Sequence, residues 1–194
     1  HNPTPPVVKR GRPFLYDAML TSGHGDLSCA TCHVFCDLDG VAWDLGNPAG
    51  KSFGYPVALK NTEPLGAPRQ GLHPLKGPMV TQSLRGLADT GPFHWRGDRF
   101  GDPRTPRMDM PSFKDFRPAF VDLLGRAEQI PDAAMEAFAS FVFSIRYPPT
   151  PNQPLDRSMR REEQAGFDFF SGPFLSDGGA VNCASCHKLP LGTD

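Results

Sequence analysis

Two pentapeptides combine thiols and a histidine at a spacing that can attach a redox cofactor. They are Cys29-Ala30-Thr31-Cys32-His33 and Cys183-Ala184-Ser185-Cys186-His187. C-x-x-C-H is the attachment signature of a c-type haem, in which both thiols bond to the porphyrin and the histidine reaches the iron. Because the histidine is in register in both copies, the sequence predicts two covalently bound haem c groups, with His33 and His187 as proximal ligands.

A zinc site is the main alternative for these cysteines. Two C-x-x-C pairs could together form a four-thiolate cage, and pairs of cysteines can also form disulfides. Neither alternative explains why a histidine directly follows both pairs, so we favour haem.

Charge and hydropathy narrow the classes of partner. The chain has 20 Lys and Arg against 21 Asp and Glu, which gives a formal net charge of −1. No basic field is available for nucleic acid, and no apolar run is long enough to span a membrane. Bacterial haem c is attached outside the cytoplasm, so we expect a periplasmic or otherwise extracytoplasmic location.

Composition indicates a mainly α, loop-rich protein. The 194 residues include 20 Gly and 22 Pro, which favour long loops, and 15 Phe, which can fill a core around haem. Helical periodicity of apolar residues predicts short helices, whereas the Pro-rich start at residues 1–12 is expected to be extended. The predicted helices cover residues 14–20, 116–126, 131–146 and 156–171.

Residues between the two motifs suggest two smaller features. Asp37, Asp39 and Asp44 lie in a segment that weakly resembles a calcium loop but lacks the closing Glu of an EF-hand. We favour a solvated, turn-rich loop there. Cys36 has no partner once the haems take four cysteines, and it could be a buried small residue or a thiol beside the haem edge.

Several segments, in order along the chain, resemble the bacterial di-haem cytochrome c peroxidase family, which includes MauG-like enzymes. The segment from Arg12 to Ser22 is similar to the family's lead into the first haem motif. Further similar segments are Gly71-Leu72-His73 with Lys76-Gly77-Pro78, Thr81-Gln82-Ser83-Leu84-Arg85, Phe93-His94-Trp95-Arg96-Gly97-Asp98-Arg99, and Glu163-Gln164-Ala165-Gly166-Phe167-Asp168-Phe169-Phe170. Apart from the two C-x-x-C-H motifs, no single segment is specific for the family. The segments taken together, in this order, are specific.

The resemblance implies two cytochrome c-like haem domains. We assign residues 1–115 to an N-terminal domain with the peroxidatic haem, and residues 116–194 to a helical segment and the start of a second domain with the electron-transfer haem. His73 matches the distal ligand of the first haem. The competing candidates are His24, His94 and the sulfurs of Met79, Met108 and Met110. Trp95 matches the tryptophan that lies between the haems.

Other candidate site residues follow from the chemistry of peroxide reduction. A general acid must move a proton between the peroxide oxygens, and Asp109 is the nearest counterpart of the family's distal glutamate. Arg85, Arg96 and Arg99 are candidates to pair with haem propionates, because guanidinium matches carboxylate geometry. Val80 stands where the family has its calcium-binding asparagine, which argues further against calcium.

The second haem is expected to lack part of its surroundings. Only seven residues follow His187, and none is His or Met, whereas the family continues for another half-domain and supplies a distal methionine there. We therefore expect a second domain truncated at its C-terminus. Its haem would be either solvent-exposed without a distal ligand from the protein, or enclosed by another polypeptide segment that completes the pocket.

These features favour a di-haem, peroxidase-like redox protein that reduces hydrogen peroxide at the first haem. Its electron donor would be a small cytochrome or a cupredoxin. One alternative is a non-catalytic di-haem electron-transfer module of a larger assembly, favoured by the missing glutamate and the short second domain. Another is a MauG-like oxidase that acts on a partner protein.

Overall fold

The computed structural model describes residues 2–49, 51, 77–91, 93, 94, 99, 109–173 and 182–187. The described residues are mainly helical and loop-rich, and their only ladder joins two strands of two residues each. The chain divides into two compact units, His1–Arg146 and Tyr147–Asp194. The division follows the helix Asp132–Phe143, which packs on the helices Pro6–Gly11 and Pro13–Tyr16. The predicted domain boundary at 115/116 stays a prediction. The stiff Pro148–Pro151 segment follows the division directly.

Three short helices precede the first haem motif: α1 (Pro6–Gly11), α2 (Pro13–Tyr16) and α3 (Ala18–Thr21). The prediction that residues 1–12 are extended is wrong, because Pro6 and Pro13 each occupy the first turn of a helix, where no amide hydrogen is needed. The predicted helix over 14–20 is interrupted at Asp17. Its carboxylate accepts a hydrogen bond from the Leu20 amide and starts α3 anew.

The first haem motif forms α4 (Cys29–Cys32), and a 3₁₀ turn follows at Val34–Cys36. Two strands, β1 (Ala42–Trp43) and β2 (Met79–Val80), then pair antiparallel, with Ala42 opposite Val80. This ladder brings the chain near residue 80 back to the segment that follows the motif.

Three further helices complete the described part of this unit: α5 (Asp109–Lys114), α6 (Ala119–Asp122) and α7 (Asp132–Phe143). The helix predicted at 131–146 is confirmed as α7, which begins directly after Pro131. The helix predicted at 116–126 is reduced to the single turn of α6, because Pro118 stands inside the periodic stretch and Gly125 adopts a left-handed φ of 69°.

Aromatic side chains form the core of His1–Arg146. The Phe113 ring lies 5.2 Å from the Phe138 ring in an edge-to-face arrangement, and Phe120 meets Phe138 in the same way. Leu15 of α2 and Met135 of α7 are fully buried beside them. At the surface, Lys114 pairs with Asp132 and Glu136 at 2.7 Å each and links α5 to α7.

The crossing of α1 and α7 depends on a glycine. A Cβ at Gly11 would overlap the carbonyl oxygen of Ala137 and the Cβ of Phe141. Gly11 therefore lets the two helix backbones approach more closely than any side chain would permit. Phe14 extends this contact, with its ring 6.4 Å from that of Phe138.

The second unit, Tyr147–Asp194, contains α8 (Arg161–Ser171) and α9 (Cys183–Cys186). The helix predicted at 156–171 is confirmed from Arg161 onward. Its start is stabilised by Glu163, whose carboxylate accepts the Arg160 amide at 2.8 Å and pairs with the Arg160 guanidinium at 2.6 Å. No residue of α8 is buried. Of all the helices in the described ranges, none has the length and apolar character that a membrane span requires.

Candidate haem-attachment sites

The first C-x-x-C-H motif is a single capped helical turn. The Ser28 side chain accepts the Thr31 amide, and the Ser28 amide donates to Thr31 Oγ1 at 3.0 Å. This reciprocal capping box defines where the turn starts. Cys29 and Cys32 are three residues apart on it, so both thiols lie on one face of the turn. That geometry suits two bonds to one flat ring.

His33 follows this turn, and its ring is held by the backbone. Nδ1 lies 2.7 Å from the carbonyl oxygen of Gln82. A carbonyl can only accept, so Nδ1 carries the hydrogen and Nε2 presents its lone pair. Burial lowers the pKa of His33 below its ordinary value, more than the Gln82 bond and the Asp39 charge raise it. A neutral imidazole with a fixed Nδ1–H is the form that ligates metals.

Gln82 belongs to a segment that we call the strap, residues 79–86. The strap runs beside the chain that follows the haem motif and is attached to it at several points. The Leu84 amide donates to the Cys36 carbonyl at 2.9 Å, and the Thr81 amide donates to the Val41 carbonyl at 3.3 Å. At its far end, the Gly86 amide donates to the Ile145 carbonyl just beyond α7. The Gln82 carbonyl is therefore fixed relative to His33 from both sides.

The thiols of the first motif differ in their surroundings. Cys29 and Ala30 pack against the aromatic core, and burial raises the pKa of the Cys29 thiol to about 12. Burial, with a smaller contribution from the Asp39 charge, also raises the pKa of Cys32. Both thiols are free of disulfides. The first motif is therefore built into the core of its unit.

Apolar side chains are exposed on the chain next to the first motif. Phe35 is 80% exposed and has a left-handed φ of 53°, which is uncommon for an aromatic residue. Leu27, Val34, Leu38 and Val41 are also exposed. Exposed apolar surface beside two thiols and a free Nε2 fits a porphyrin, which would cover it.

The second motif repeats the capped turn with different neighbours. The Asn182 side chain accepts the Ser185 amide, and the Asn182 amide donates to Ser185 Oγ at 3.2 Å. Asn182 Nδ2 also donates to the carbonyls of Ser171 and Gly172 at 2.9 Å each, which ties the turn to the end of α8. Both Cys183 and His187 are exposed.

Phe170 of α8 is the aromatic neighbour of His187, with ring centroids 6.2 Å apart. This contact connects α8 to the second C-x-x-C-H motif. The same relation occurs at the first motif, where α2 packs on α4. Each C-x-x-C-H turn is therefore supported by a helix that lies earlier in the chain, α2 for the first turn and α8 for the second.

Asp109, the predicted general acid, lies at the start of α5 and binds a loop. Its Oδ1 accepts the Gly91 amide at 2.9 Å, and its Oδ2 accepts the Asp89 amide at 2.5 Å. Asp89 has a left-handed φ of 67°. The carboxylate therefore holds the 89–91 turn against α5, and its role as a proton donor to peroxide stays a prediction.

Two of the three predicted propionate-binding arginines have described contacts. Arg85 pairs with Asp37 at 2.8 Å and donates to the Phe35 carbonyl at 3.1 Å, which ties the strap to the 3₁₀ turn. The Arg99 guanidinium lies 5.5 Å from the Phe116 ring centroid, over its face. Their pairing with propionates stays a prediction. Arg96, like His73 and Trp95, lies outside the described residues.

The aspartates of the weak calcium-loop pattern separate into different contacts. Asp37 pairs with Arg85, Asp39 accepts the Val41 amide and the Trp43 indole, and Asp44 accepts the Gly46 amide. Within the described ranges, no three His, Cys, Asp or Glu side chains come together as metal ligands. These contacts are those of a turn-rich loop.

Sequence reasoning missed three features of the first site. The Gln82 carbonyl is a backbone group, and only a tertiary fold brings it to His33. The calcium-like spacing of the aspartates also gives no sign that the Asp39 charge acts to raise the pKa of His33 and of Cys32. The third feature is the contact of Cys36 Sγ with Tyr16 Oη at 3.0 Å. Cys36 itself is buried, in agreement with one of the two expectations for it. Burial and this contact raise the pKa of Tyr16 to about 12.

The chain matches no protein-family model and no curated protein. A solved structure, Kuenenia stuttgartiensis hydrazine synthase pressurized with 20 bar xenon, is similar in fold, with a TM-score of 0.54 and 20% sequence identity. The similarity covers 98% of this chain and 52% of that chain, so this chain spans about half of the neighbour's length. At this identity the likeness concerns the fold alone, and it is consistent with a mainly helical, loop-rich architecture.

Proposed function

We propose that this chain is a di-haem c-type redox protein with peroxidase-like activity, built from two cytochrome c-like domains and located outside the cytoplasm. Haem at the two motifs would supply redox-active iron, with hydrogen peroxide reduced at the first site by electrons from the second. A small cytochrome or a cupredoxin would donate those electrons. The observation that carries the proposal is the 2.7 Å contact between His33 Nδ1 and the Gln82 carbonyl.

That contact favours haem over a four-thiolate zinc cage at the first motif. A zinc cage built from both C-x-x-C pairs would use four thiolates and would need no histidine after either pair. Here the His33 ring is instead pinned through Nδ1, and Nε2 is left to bind a metal. The chain fixes the histidine that a haem iron requires and that a four-thiolate site does not.

The surroundings of the first motif also favour a covalent cofactor. The first motif supplies two thiols, Cys29 and Cys32, that no disulfide occupies. The exposed apolar side chains beside it would lose contact with water under a porphyrin, which stabilises the loaded protein. Cofactor and core would then form one apolar interior.

A non-catalytic electron-transfer module is the second candidate, and one observation favours it. Both oxygens of Asp109 accept backbone amides, so the predicted acid already has a structural task. Without a free acid near the first iron, peroxide reduction would lose its proton transfer. This candidate predicts that cyanide does not bind the first haem in either redox state.

Steady-state consumption of hydrogen peroxide by the holoprotein tests the proposal, with a reduced small cytochrome or a dye as donor. Turnover well above that of free haem supports the peroxidase-like function. Its absence in a protein that carries both haems contradicts it. The matched control is the double variant Cys183→Ser/Cys186→Ser, which should lose turnover with the donor but retain the first haem.

Peroxide consumption by variants of Asp109 distinguishes the peroxidase-like function from the non-catalytic electron-transfer module. Asp109→Asn should reduce peroxide turnover by about a hundredfold or more if the carboxylate is the general acid. Asp122→Asn, at an exposed carboxylate in α6, is the control and should leave turnover unchanged. Equal turnover in both variants would assign Asp109 to the 89–91 turn alone.

A further inference from the structure

The chain has a left-handed backbone at two consecutive residues shortly after His33. Phe35 and Cys36 have φ of 53° and 62°, and neither is a glycine. This conformation costs free energy for a residue with a Cβ, and it persists only where the surrounding contacts fix it. The Phe35 ring is 80% exposed, so burial of the ring does not offset the cost. The contacts that hold this turn must therefore come from its backbone and its polar neighbours.

Arg85 of the strap binds the turn at two points. Its Nη2 donates to the Phe35 carbonyl at 3.1 Å, and its Nη1 pairs with the Asp37 carboxylate at 2.8 Å. We call these two contacts the clamp. A guanidinium suits them because its donors lie in a rigid, planar fork. The side chains of Arg85 and Asp37 are 25% and 32% exposed, so water screens the pair only in part. Between the two points, the Leu84 amide donates to the Cys36 carbonyl at 2.9 Å.

The strap segment that carries the clamp also holds His33. The Gln82 carbonyl accepts the hydrogen of His33 Nδ1 at 2.7 Å, three residues before Arg85. His33 is itself two residues before Phe35. Segments 33–35 and 82–85 are thus joined at both ends, which closes them into a ring. Within this ring, the clamp limits how far the Gln82 carbonyl can move relative to the imidazole.

We propose that Arg85 is a positioning residue for the first haem, because its clamp keeps the Gln82 carbonyl on the Nδ1–H of His33. This inference rests on the proposed haem attachment at Cys29 and Cys32. An acceptor at Nδ1 fixes the orientation of a ligating imidazole and makes its other nitrogen a stronger electron donor to the metal. A stronger donor stabilises oxidised iron over reduced iron, so the clamp lowers the reduction potential of the first haem.

Two other roles for Arg85 predict the opposite effect. One is pairing with a haem propionate, as expected from the sequence, and the other is a direct effect of its charge on the iron. In both roles the positive charge favours reduced iron, because reduced iron carries one less positive charge than oxidised iron. Loss of that charge would lower the potential of the first haem, whereas loss of the clamp raises it. The direction of the shift therefore distinguishes the roles.

Arg85→Gln and Arg85→Lys test the clamp in the holoprotein. Glutamine removes both the charge and the fork, whereas lysine retains the charge and removes the fork. We expect each variant to raise the ratio of reduced to oxidised first haem at a fixed potential by about threefold to tenfold, which is about 30 to 60 mV for one electron. Complete loss of an outer-shell partner typically changes metal affinity by roughly 10–100-fold. The effect here is smaller because the Gln82 carbonyl itself remains.

Spectroelectrochemical titration measures both haems in one sample, and the potential of the second haem should not change. Arg117→Gln is the matched control in the same unit. The Arg117 fork also binds one carboxylate and one further oxygen, Asp132 at 3.2 Å and Gln129 at 3.1 Å, and its side chain is 33% exposed. Its substitution should leave the first-haem potential unchanged. If Arg85→Gln and Arg117→Gln lowered the unfolding temperature alike and moved neither potential, Arg85 would be a structural ion pair and the proposal would fail.

The other failures are distinguishable. Mass spectrometry of the Cys29–His33 peptide first shows whether each protein carries the first haem. If the unmodified protein does not, the proposed function fails and the role of the clamp fails with it. If it does, a lower potential in Arg85→Gln with an unchanged one in Arg85→Lys assigns Arg85 to its charge and overturns the clamp alone. If Arg85→Gln does not retain the haem, Arg85→Lys decides: a raised potential supports the clamp, and a change below about twofold in the ratio contradicts it.

Discussion

Cys29–Cys32 and Cys183–Cys186 form the same helical turn, yet the histidines that follow them have different neighbours. Both turns start at a side chain that accepts the amide three residues on, and His33 and His187 have similar backbone angles, with φ of −85° and −87°. His33 is half-buried and held at Nδ1 by the Gln82 carbonyl, whereas His187 is exposed beside Phe170. The local sequence is enough to form the turn, but longer-range packing is needed to orient the histidine.

The comparison assigns different tasks to the two regions. The first motif packs against the aromatic core of its unit, and the Gln82 carbonyl of the strap holds His33. The second motif is tied to one helix, α8, which has no buried residue. If both bind haem, the first site is the one whose ligand geometry the described chain controls.

The largest expected effect is the loss of covalent haem. Cys29→Ser/Cys32→Ser and Cys183→Ser/Cys186→Ser should each reduce covalent haem from two per chain to one, because each pair of thiols makes the bonds to one porphyrin. Pyridine haemochrome absorbance per chain measures the count. Two haems remaining after either double substitution would contradict the assignment, as would a stoichiometric zinc content in the unmodified protein.

Thiol reactivity should distinguish the two motifs in the haem-free protein. Burial raises the pKa of Cys29 from 9.0 to about 12, whereas Cys183 is exposed. Alkylation requires the thiolate, so Cys29 should react at least tenfold more slowly than Cys183 near pH 8. Its rate should keep rising with pH up to about 12.

Peptide mass spectrometry after timed treatment with iodoacetamide measures both rates in one sample. Urea supplies the control, since unfolding should bring the two rates together. Equal rates in the folded protein would mean that Cys29 is not packed against the core.

Two glycines test how the supporting helices are packed. Gly11→Ala should lower the free energy of unfolding by about 1–3 kcal/mol, because its Cβ would overlap Ala137 and Phe141 of α7. Gly166→Ala is the matched variant within α8, where no described atom lies within 4 Å of the added Cβ. It should instead stabilise its helix by about 0.5–1 kcal/mol.

Urea unfolding followed by far-UV circular dichroism measures both glycine variants. We expect the free energy of unfolding to fall in Gly11→Ala and to rise in Gly166→Ala. A destabilising Gly166→Ala would reveal a packed face on α8 and would make the two regions more alike than the described contacts indicate.

The smallest expected effects concern the caps. Ser28→Ala should cost about 1 kcal/mol through loss of the capping oxygen. Asn182→Ser retains a capping oxygen and removes only the bonds from Nδ2 to Ser171 and Gly172, so it should cost about 0.5–1.5 kcal/mol. Thermal unfolding of each variant checks these values, and a neutral Asn182→Ser would show that α8 does not support the second turn.

Local sequence signals predicted the local parts of this fold. Helix α7, and α8 from Arg161 onward, follow from apolar residues at helical spacing. The helix at Pro6–Gly11 contradicts the expected extended chain, because a proline also suits the first turn of a helix. The split at Asp17 was missed because a capping side chain overrode an apolar periodicity.

Long-range features of the site could not be read from the sequence. The contact between His33 and Gln82 joins residues 49 positions apart through a backbone oxygen, which leaves no signature in residue type. Likewise, the pairing of β1 with β2 joins residues far apart in the sequence, and it returns the chain before Gln82 to the segment that follows the motif. The two-unit division at Arg146–Tyr147 depends on where α7 packs, which periodicity alone does not specify.

Mass spectrometry of the two motif peptides tests the central claim most directly. The protein would be exported from a bacterium that attaches haem c, digested, and examined for the peptides containing Cys29–His33 and Cys183–His187. We predict one covalent haem on each peptide. Unmodified cysteines in both peptides of a folded, exported protein would contradict the account.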